Sequence, residues 1–423
     1  MDIIFYIFVM LKHSRNLFHF LQNFPTMKMY TAVLVILLLM IVLSDVFFYF
    51  HLKKKESKPI FLFLHIIPAI IFAGIFIYIK FGLENSHNFR IIAWVMWIYF
   101  FFLILYISKI IHIIFYFLNF IFKKVAHHDD IYFNIVRVVL TVFVISVMLI
   151  SAYITPQNFE VTHVQVKIHN LPPAFNHYKI VQLSDIHLGS WNRKHRKFIK
   201  VIGLVNEQKP DIIVFTGDMV NNFATEAVGW QSFFQELKAK DGKFAVLGNH
   251  DYGDYTEWKS EKERMQNRFM IIQSIHDFGF RLLLNEHIQL HKENDSLVLI
   301  GVENWGKSEK FRYSNLKMAL KGTQPESIKI LLAHDPNEFD AEIAGKKDIV
   351  LTLSGHTHAG QMGFRLNNKL YSPASLVFKY WSRLYKVGTQ QIYVNRGIGY
   401  IGLPMFIGVK PEITVIELIN DKK

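Results

Sequence analysis

Cysteine is missing from all 423 residues. That excludes disulfides and thiolate metal ligands, and it leaves the chain silent about the redox state of its compartment. Charge is also scarce, at 19% of residues, and acids (34) are outnumbered by lysine and arginine (47), for a formal charge of +13. No nucleic-acid motif accompanies that charge. Part of it lies in lysine clusters beside hydrophobic runs, a placement that suits anionic lipid headgroups. Internal repeats are absent, as are low-complexity segments outside the hydrophobic runs.

What is abundant is hydrophobicity, 51% of residues, most of the excess lying before Thr155. Four runs, 30–50, 60–81, 91–106 (with a continuation to 122) and 131–154, are about long enough to cross a hydrocarbon layer of roughly 30 Å. Four successive spans cannot be a cleaved signal peptide. Residues 1–29 stand apart: 1–11 are apolar but too short to span, Lys12, His13 and Arg15 follow, and Met27 and Met29 are alternative starts. The sequence thus divides into 1–29, a transmembrane region at 30–154 and a soluble domain at 155–423. Lys53, Lys54, Lys55 and Lys58 in the first loop and Lys123 and Lys124 in the third mark the cytoplasmic side. The soluble domain is then expected on the outer face of the cell membrane, although Lys12, Arg15 and Lys28 pull the other way. Asp45, His65 and His112 fall within the spans, where ionisable groups are functional candidates. His127-His128-Asp129-Asp130 reads as a solvated loop between spans.

The soluble domain is organised around a recurring pattern: a short apolar run, which reads as a buried strand, ending in polar, metal-competent side chains. The run at 180–183 leads to Asp185-Ile-His187, where extended spacing would point both side chains the same way. The run from Asp211 ends in Gly217-Asp218, the run from Lys243 in Gly248-Asn249-His250-Asp251, the run from Ile328 in His334-Asp335-Pro336, and the run from Asp348 in Gly355-His356-Thr357-His358. Strand ends are where an α/β fold places its site.

In this order the motifs resemble the calcineurin-like metallophosphoesterase superfamily over about 158–418. Several stretches look like its membrane-associated bacterial branch: the one from Tyr178 to Gly189, Leu332-Ala-His-Asp-Pro, Ser354-Gly-His-Thr-His-Ala-Gly-Gln361, Val394-Asn-Arg-Gly-Ile-Gly399 and Lys410-Pro-Glu-Ile413. The resemblance implies an αββα sandwich following the four-helix transmembrane region. It also implies two divalent metals, one held by Asp185, His187 and His358 and the other by Asn249, His334 and His356, with Asp218 bridging. Mixed nitrogen and oxygen donors suit manganese, iron or zinc. His250 would act as a catalytic histidine on the leaving oxygen, with Asp251 orienting its ring. The expected reaction is attack of a metal-bridging hydroxide on a phosphodiester or pyrophosphate bond of a phosphate-containing substrate, lipid-linked or part of the envelope. The rival is a membrane sensor whose domain binds a phosphorylated ligand without turnover.

Two departures from the branch pattern stand out. Ala359 replaces a glycine of Gly-His-Thr-His-Gly-Gly-Gln, tolerable unless the backbone there needs a positive φ. Met405-Phe406-Ile407 stands where relatives often carry an arginine. Elsewhere, helices are expected at about 191–208, with a basic cluster at its start, 230–240 and 258–278. Strands of a second sheet layer are expected at 281–284, 287–290 and 297–302. The aromatic and basic stretch 378–386 reads as rim packing or as an interfacial membrane contact.

Overall fold

A computed structural model describes residues 29–55, 57–83, 86–126, 131–191, 196–306, 308–367 and 369–421. The expectations for 1–28, for His127 to Asp130 and for Arg193, Lys194 and His195 lie outside the described residues. The chain divides into two compact units: residues up to Ser86 with Ile98–Ser146, and His87–Trp97 with Val147–Lys423.

Helices α1 (Met29–Lys54), α2 (Pro59–Gly82), α3 (Phe89–Ala126) and α4 (Ile131–Tyr153) are long and apolar enough to cross a membrane. The continuation of the third run is real: α3 has 38 residues, about 57 Å at 1.5 Å per residue, well beyond one hydrocarbon thickness. Large side chains such as Ile70, Phe81, Val139 and Phe143 lie exposed on these helices, as lipid-facing positions do. In the first unit Leu37 and Ile41 of α1, Phe76 of α2 and Phe102 and Tyr106 of α3 are buried together. Asp45 is buried too, accepting from Tyr106 Oη at 2.8 Å, contacting His65 Nε2 at 2.9 Å and paired with Lys109. His112 does not join it.

The second unit is built on two six-stranded sheets. Strands β1 (Glu160–Ile168), β2 (Tyr178–Leu183), β3 (Ile212–Thr216), β4 (Gly242–Val246) and β5 (Arg281–Leu282) combine with the last strand, β14 (Glu412–Asn420), in the order β1-β14-β2-β3-β4-β5. Strands β6 (Glu286–Lys292), β7 (Asp295–Gly301), β8 (Lys329–Leu332) and β9 (Leu351–Ser354) combine with β12 (Arg383–Val387) and β13 (Gln390–Val394) in the order β12-β13-β9-β8-β7-β6. Between them in sequence, β10 (Phe364–Leu366) and β11 (Lys369–Tyr371) pair as a separate hairpin. β2, β3 and β4 run parallel, as do β7, β8, β9 and β13. Parallel strands covered on both faces should be continuously apolar, which is how 212–215 reads; Leu351-Thr-Leu-Ser354 is as fully buried although it alternates apolar and hydroxyl side chains.

Ile180, Val214 and Val246 of the first sheet share one core with Leu299, Leu332 and Leu353 of the second. The outer face of the first sheet packs on α5 (Arg196–Glu207), α6 (Gln231–Gln235) and α7 (Glu261–Asp277), and that of the second on α8 (Leu316–Ala319). This is the expected α/β sandwich.

Two expectations need correction. The strand at Arg281–Leu282 belongs to the first sheet, paired with Phe244 and Ala245, and only the later two strands enter the second. The helix expected over 230–240 is one short turn, because Lys240 N–H and Asp241 N–H are held by the carbonyls of Pro210 and Asp211 on the approach to β3.

Candidate metal centre

All of the motif residues gather where β2, β3, β4, β8 and β9 end. They do so through turns, not strand alternation. β2 stops at Leu183, and Asp185 and His187 both have φ 51°. Asp218 (φ 61°), His356 (φ 70°) and His358 (φ 48°) also lie in the left-handed region, which costs an L-residue roughly 1–2 kcal/mol each. Strain held at several converging polar side chains is a mark of a functional site. Two motif glycines are required by close approach. A Cβ on Gly248 would lie 2.2 Å from Asp218 Oδ1, and one on Gly355 would lie 2.3 Å from Asp185 Oδ2.

Two groups of ligand atoms result, Asp185, His187 and His358 in one and Asp218, His334 and His356 in the other, each with its atoms within 4.8 Å of one another. In the first, His358 Nε2 lies 3.2 Å from Asp185 Oδ1 and 3.1 Å from His187 Nε2. In the second, His334 Nε2 lies 3.2 Å from Asp218 Oδ2, 3.2 Å from His356 Nδ1 and 3.0 Å from Asn249 Oδ1. Asp218 Oδ2 is also 3.7 Å from His187 Nε2, so this carboxylate stands between the groups. Its other oxygen accepts the backbone N–H of His250 at 2.9 Å.

The electrostatics favour a cation here. Burial opposes ionisation of Asp218, yet His334 and His250 hold it well below the usual carboxylate range. Burial opposes protonation of His334, yet the Asp218 carboxylate lifts it to about 10. Burial drops His187 to about 3, and the His358 imidazole overcomes burial to keep Asp185 at about 2. Two imidazole nitrogens 3.1 Å apart can share at most one proton, and the buried Nδ1 atoms of His187 and His358 lack a hydrogen-bond partner. Converging lone pairs beside two carboxylates are the donor set that divalent ions satisfy, so the residues present fit a pair of such ions. His334 Nδ1 lies 2.7 Å from the Thr216 carbonyl, which fixes Nε2 as the donor atom, as the outer contacts of metal-binding histidines do.

The structure corrects the role expected of Asp251. Its buried carboxylate accepts the backbone N–H groups of Asp218, Met219, Val220 and Gly248 at 2.9–3.2 Å, and the His250 ring is oriented instead by the Asn221 carbonyl, 2.6 Å from Nδ1. Burial and the Asp218 charge push Asp251 up to about 7 against the pull of those amides. Asp251 therefore shapes the turn that presents Asp218.

Three contributors carried no sequence signal. Asn221 acts through a carbonyl. Glu226, buried, accepts four backbone N–H groups, from Gly189, Asn221, Asn222 and Phe223, which ties the turn after His187 to the turn after Asp218. Tyr255 stacks on the His250 ring at 4.4 Å and accepts from Asn249 Nδ2 at 2.7 Å.

The remaining motifs support the ligands from behind. Ile398 and Gly399 donate to the carbonyls of Ser184 and Asp185, Asn395 donates to Thr414 Oγ1 at 2.8 Å, and Arg396 pairs with Glu160 and Glu412 at 2.7 and 3.1 Å. Ala359 sits at φ 48°, a left-handed position that favours glycine.

A sandwich whose strand ends converge on two carboxylate and imidazole groups is the architecture of a dimetal phosphoesterase. The family model described as calcineurin-like phosphoesterase matches residues 178–360. A Bos taurus "Transmembrane protein with metallophosphoesterase domain" is 35% identical over 269 residues, 61% of this chain and 56% of that one. The "Uncharacterized metallophosphoesterase YkuE" of Bacillus subtilis is 31% identical over 276 residues, 63% of this chain and 88% of that one. The crystal structure of phosphopantetheinyl hydrolase from Mycobacterium tuberculosis covers 52% of this chain and 88% of its own, with a TM-score of 0.30 and 12% identity. The chain belongs to the calcineurin-like phosphoesterase family and carries membrane-spanning helices ahead of that domain. The match spans little more than half the length of that Bos taurus protein and of its like-named Danio rerio counterpart, 56% and 57%.

Proposed function

We propose that this chain is a membrane-anchored phosphoesterase, residues 30–154 serving as anchor and 155–423 as catalytic domain, that hydrolyses a phosphodiester or pyrophosphate bond in a lipid-linked or envelope substrate. The observation that carries the reaction is Asp218, whose Oδ2 lies 3.2 Å from His334 and 3.7 Å from His187, in reach of both ligand groups. Asp185, His187 and His358 would hold one cation and Asn249, His334 and His356 the other, with Asp218 shared. Manganese, iron and zinc all suit these donors. Such a pair supplies Lewis acidity at the phosphoryl oxygens and makes water acidic enough to attack at neutral pH. His250 is the proton-transfer residue: with Nδ1 bonded to Asn221, Nε2 is left to serve the leaving oxygen. Asn249 adds a neutral oxygen donor, so the site keeps positive charge towards a phosphate.

A lipid-linked substrate is supported by what surrounds the His358 turn. Gln361, three residues on, donates to the carbonyls of Leu403 and Met405 at 3.0 and 3.2 Å and accepts from Ile401 N–H at 2.6 Å. The same loop bonds Phe406 N–H to the Ser151 carbonyl, two residues from the end of α4. The turn that carries His358 is thus linked by a short run of hydrogen bonds to the C-terminal end of α4, which belongs to the same unit. The segment packed on that turn through Ser372 and Ala374 carries exposed Leu376 (88%) and Val377 (65%), and the β10–β11 hairpin carries exposed Phe364 (61%), with the basic Arg365, Lys369 and Lys379 adjacent in sequence. Apolar side chains among basic ones suit an interfacial surface. With Lys53, Lys54, Lys123 and Lys124 on the cytoplasmic side, the catalytic domain faces outward.

The test uses full-length protein with an aryl phosphodiester and its monoester, under Mn²⁺, Zn²⁺ or chelator. Metal-dependent diester turnover that exceeds monoester turnover supports the reading. Stoichiometric ligand binding with no product, in metal-loaded protein, would replace it with a binding domain. For the lipid-linked part, a vesicle-embedded diester should be cleaved faster than its soluble headgroup analogue, and equal rates would remove that part alone.

A further inference from the structure

Among its described residues, the first unit holds a charge imbalance. Asp45 is the one carboxylate among the described residues of these helices, and its oxygens are occupied by His65, Tyr106 and Lys109. Arg137 of α4 has no acidic partner among the described residues, and the buried Nε2 of His112 has no hydrogen-bond partner. These groups meet in one place. A cavity of about 330 Å³ is lined by Lys109, His112 and Arg137 together with Phe48, Leu105 and the exposed side chains of Val138 and Val142. Ser108 and Thr141 also line it, but their hydroxyls donate to the carbonyls of Ile104 and Arg137 in their own helices, at 2.7 and 2.8 Å. The donors left over are therefore the guanidinium, the imidazole and what Asp45 leaves of the ammonium.

An uncompensated cation within a membrane-spanning bundle is costly, and such groups face partners or cavities. The depth limits the choice of anion. Arg137 is six residues into α4, about 9 Å from Ile131 at 1.5 Å per residue, on the side of Lys53, Lys54, Lys123 and Lys124. That is within reach of the headgroup layer for a long basic side chain. The valine-lined side of the cavity opens onto surface that meets acyl chains. A guanidinium and an imidazole N–H suit the oxygens of a phosphate. We propose that this cavity binds the phosphate of an anionic phospholipid, drawn from the leaflet beside the lysine-bearing loops, with its acyl chains along Val138 and Val142. A zwitterionic lipid brings its own cation and leaves the imbalance in place.

Native mass spectrometry of the full chain released from detergent tests this, with dioleoylphosphatidylglycerol, dioleoylphosphatidylcholine or inorganic phosphate as probe. One phosphatidylglycerol should stay bound per chain where phosphatidylcholine does not. Arg137→Gln should weaken retention about tenfold, the loss expected for one charge-assisted hydrogen bond, while Arg137→Lys retains most of it and His112→Ala weakens it less. Lys53→Gln, which removes a loop charge, should leave retention unchanged. Thermal unfolding followed by tryptophan fluorescence, matching wild type in lipid-free detergent, establishes that each variant is folded. Equal retention by wild type and Arg137→Gln, equal loss in Lys53→Gln, or displacement of the lipid by millimolar inorganic phosphate would each overturn the proposal.

Discussion

The carbonyl of Asn221 lies 2.6 Å from Nδ1 of His250, 29 residues away in sequence, and this contact decides which ring nitrogen is left for chemistry. If Nε2 delivers a proton to the leaving oxygen, the benefit should grow with the basicity of that oxygen. His250→Ala is expected to lower kcat about 10²–10⁴-fold for an alkyl phosphodiester and distinctly less for a nitrophenyl one, with metal content unchanged. Equal losses for both leaving groups would assign the ring to charge stabilisation instead.

Asp251 should fail differently. In Asp251→Asn an amide NH₂ faces backbone donors that now meet an oxygen, as at Asp218 and Gly248. Leaving a buried donor unsatisfied costs about 1–3 kcal/mol, so the melting temperature should fall while His250→Ala melts like wild type. A variant as stable as wild type but inactive would return Asp251 to the chemistry.

The convergence of the candidate ligands on one end of the sheets was legible in the sequence because each is a polar residue closing an otherwise apolar run, a pattern readable without tertiary information. How they converge was not legible. Asp185 and His187 look like alternate residues of a strand, yet both adopt φ 51°, and a left-handed turn is imposed by neighbours such as Gly217 and Gly399, whose backbones bond to Asp185. The support given by Glu226 and Asn221 was invisible for a related reason: it passes through backbone groups, which every residue possesses. In the membrane helices Asp45 stood out, but Lys109 lies 64 residues away and only packing makes it the partner.

Asp218 Oδ2 lies within reach of both ligand groups, 3.2 Å from His334 and 3.7 Å from His187, so under the proposed reading its loss should be felt at both. Full-length wild type is expected to carry two divalent ions by elemental analysis and Asp218→Asn one at most. Ions bound only to the folded state add stability by mass action, about 2.7 kcal/mol at a hundredfold excess over Kd. Chelation should therefore lower the wild-type melting temperature, and that response should shrink in the variant. An unchanged metal count would place the shared ligand elsewhere.

Ala359 offers a gain. It lies at φ 48° immediately after His358, with no steric reason visible for its methyl group beyond contact with Ala374 and Trp381. Restoring glycine relieves about 1 kcal/mol of left-handed strain, offset in part by the added entropy of the unfolded chain. Ala359→Gly should melt slightly higher with unchanged kcat. A lower melting temperature would mean that the methyl packing outweighs the strain.

The apolar surface at Leu376 and Val377 makes the proposed membrane contact open to direct measurement, because a chain without cysteine accepts a single label cleanly. Leu376 is 88% exposed and belongs to the segment packed on the His358 turn, whereas Met318 of α8 is exposed (59%) on the outer face of the second sheet. A nitroxide on Leu376→Cys in lipid nanodiscs should be relaxed more by oxygen than by a water-soluble nickel complex, and one on Met318→Cys the reverse. Replacing Leu376 and Val377 by serine should then slow cleavage of a vesicle-embedded diester more than that of its soluble analogue, since only the former needs the surface. If the label at 376 proves as water-accessible as the one at 318, these side chains do not meet the bilayer, and the apolar rim must instead be assigned to the substrate or to a partner.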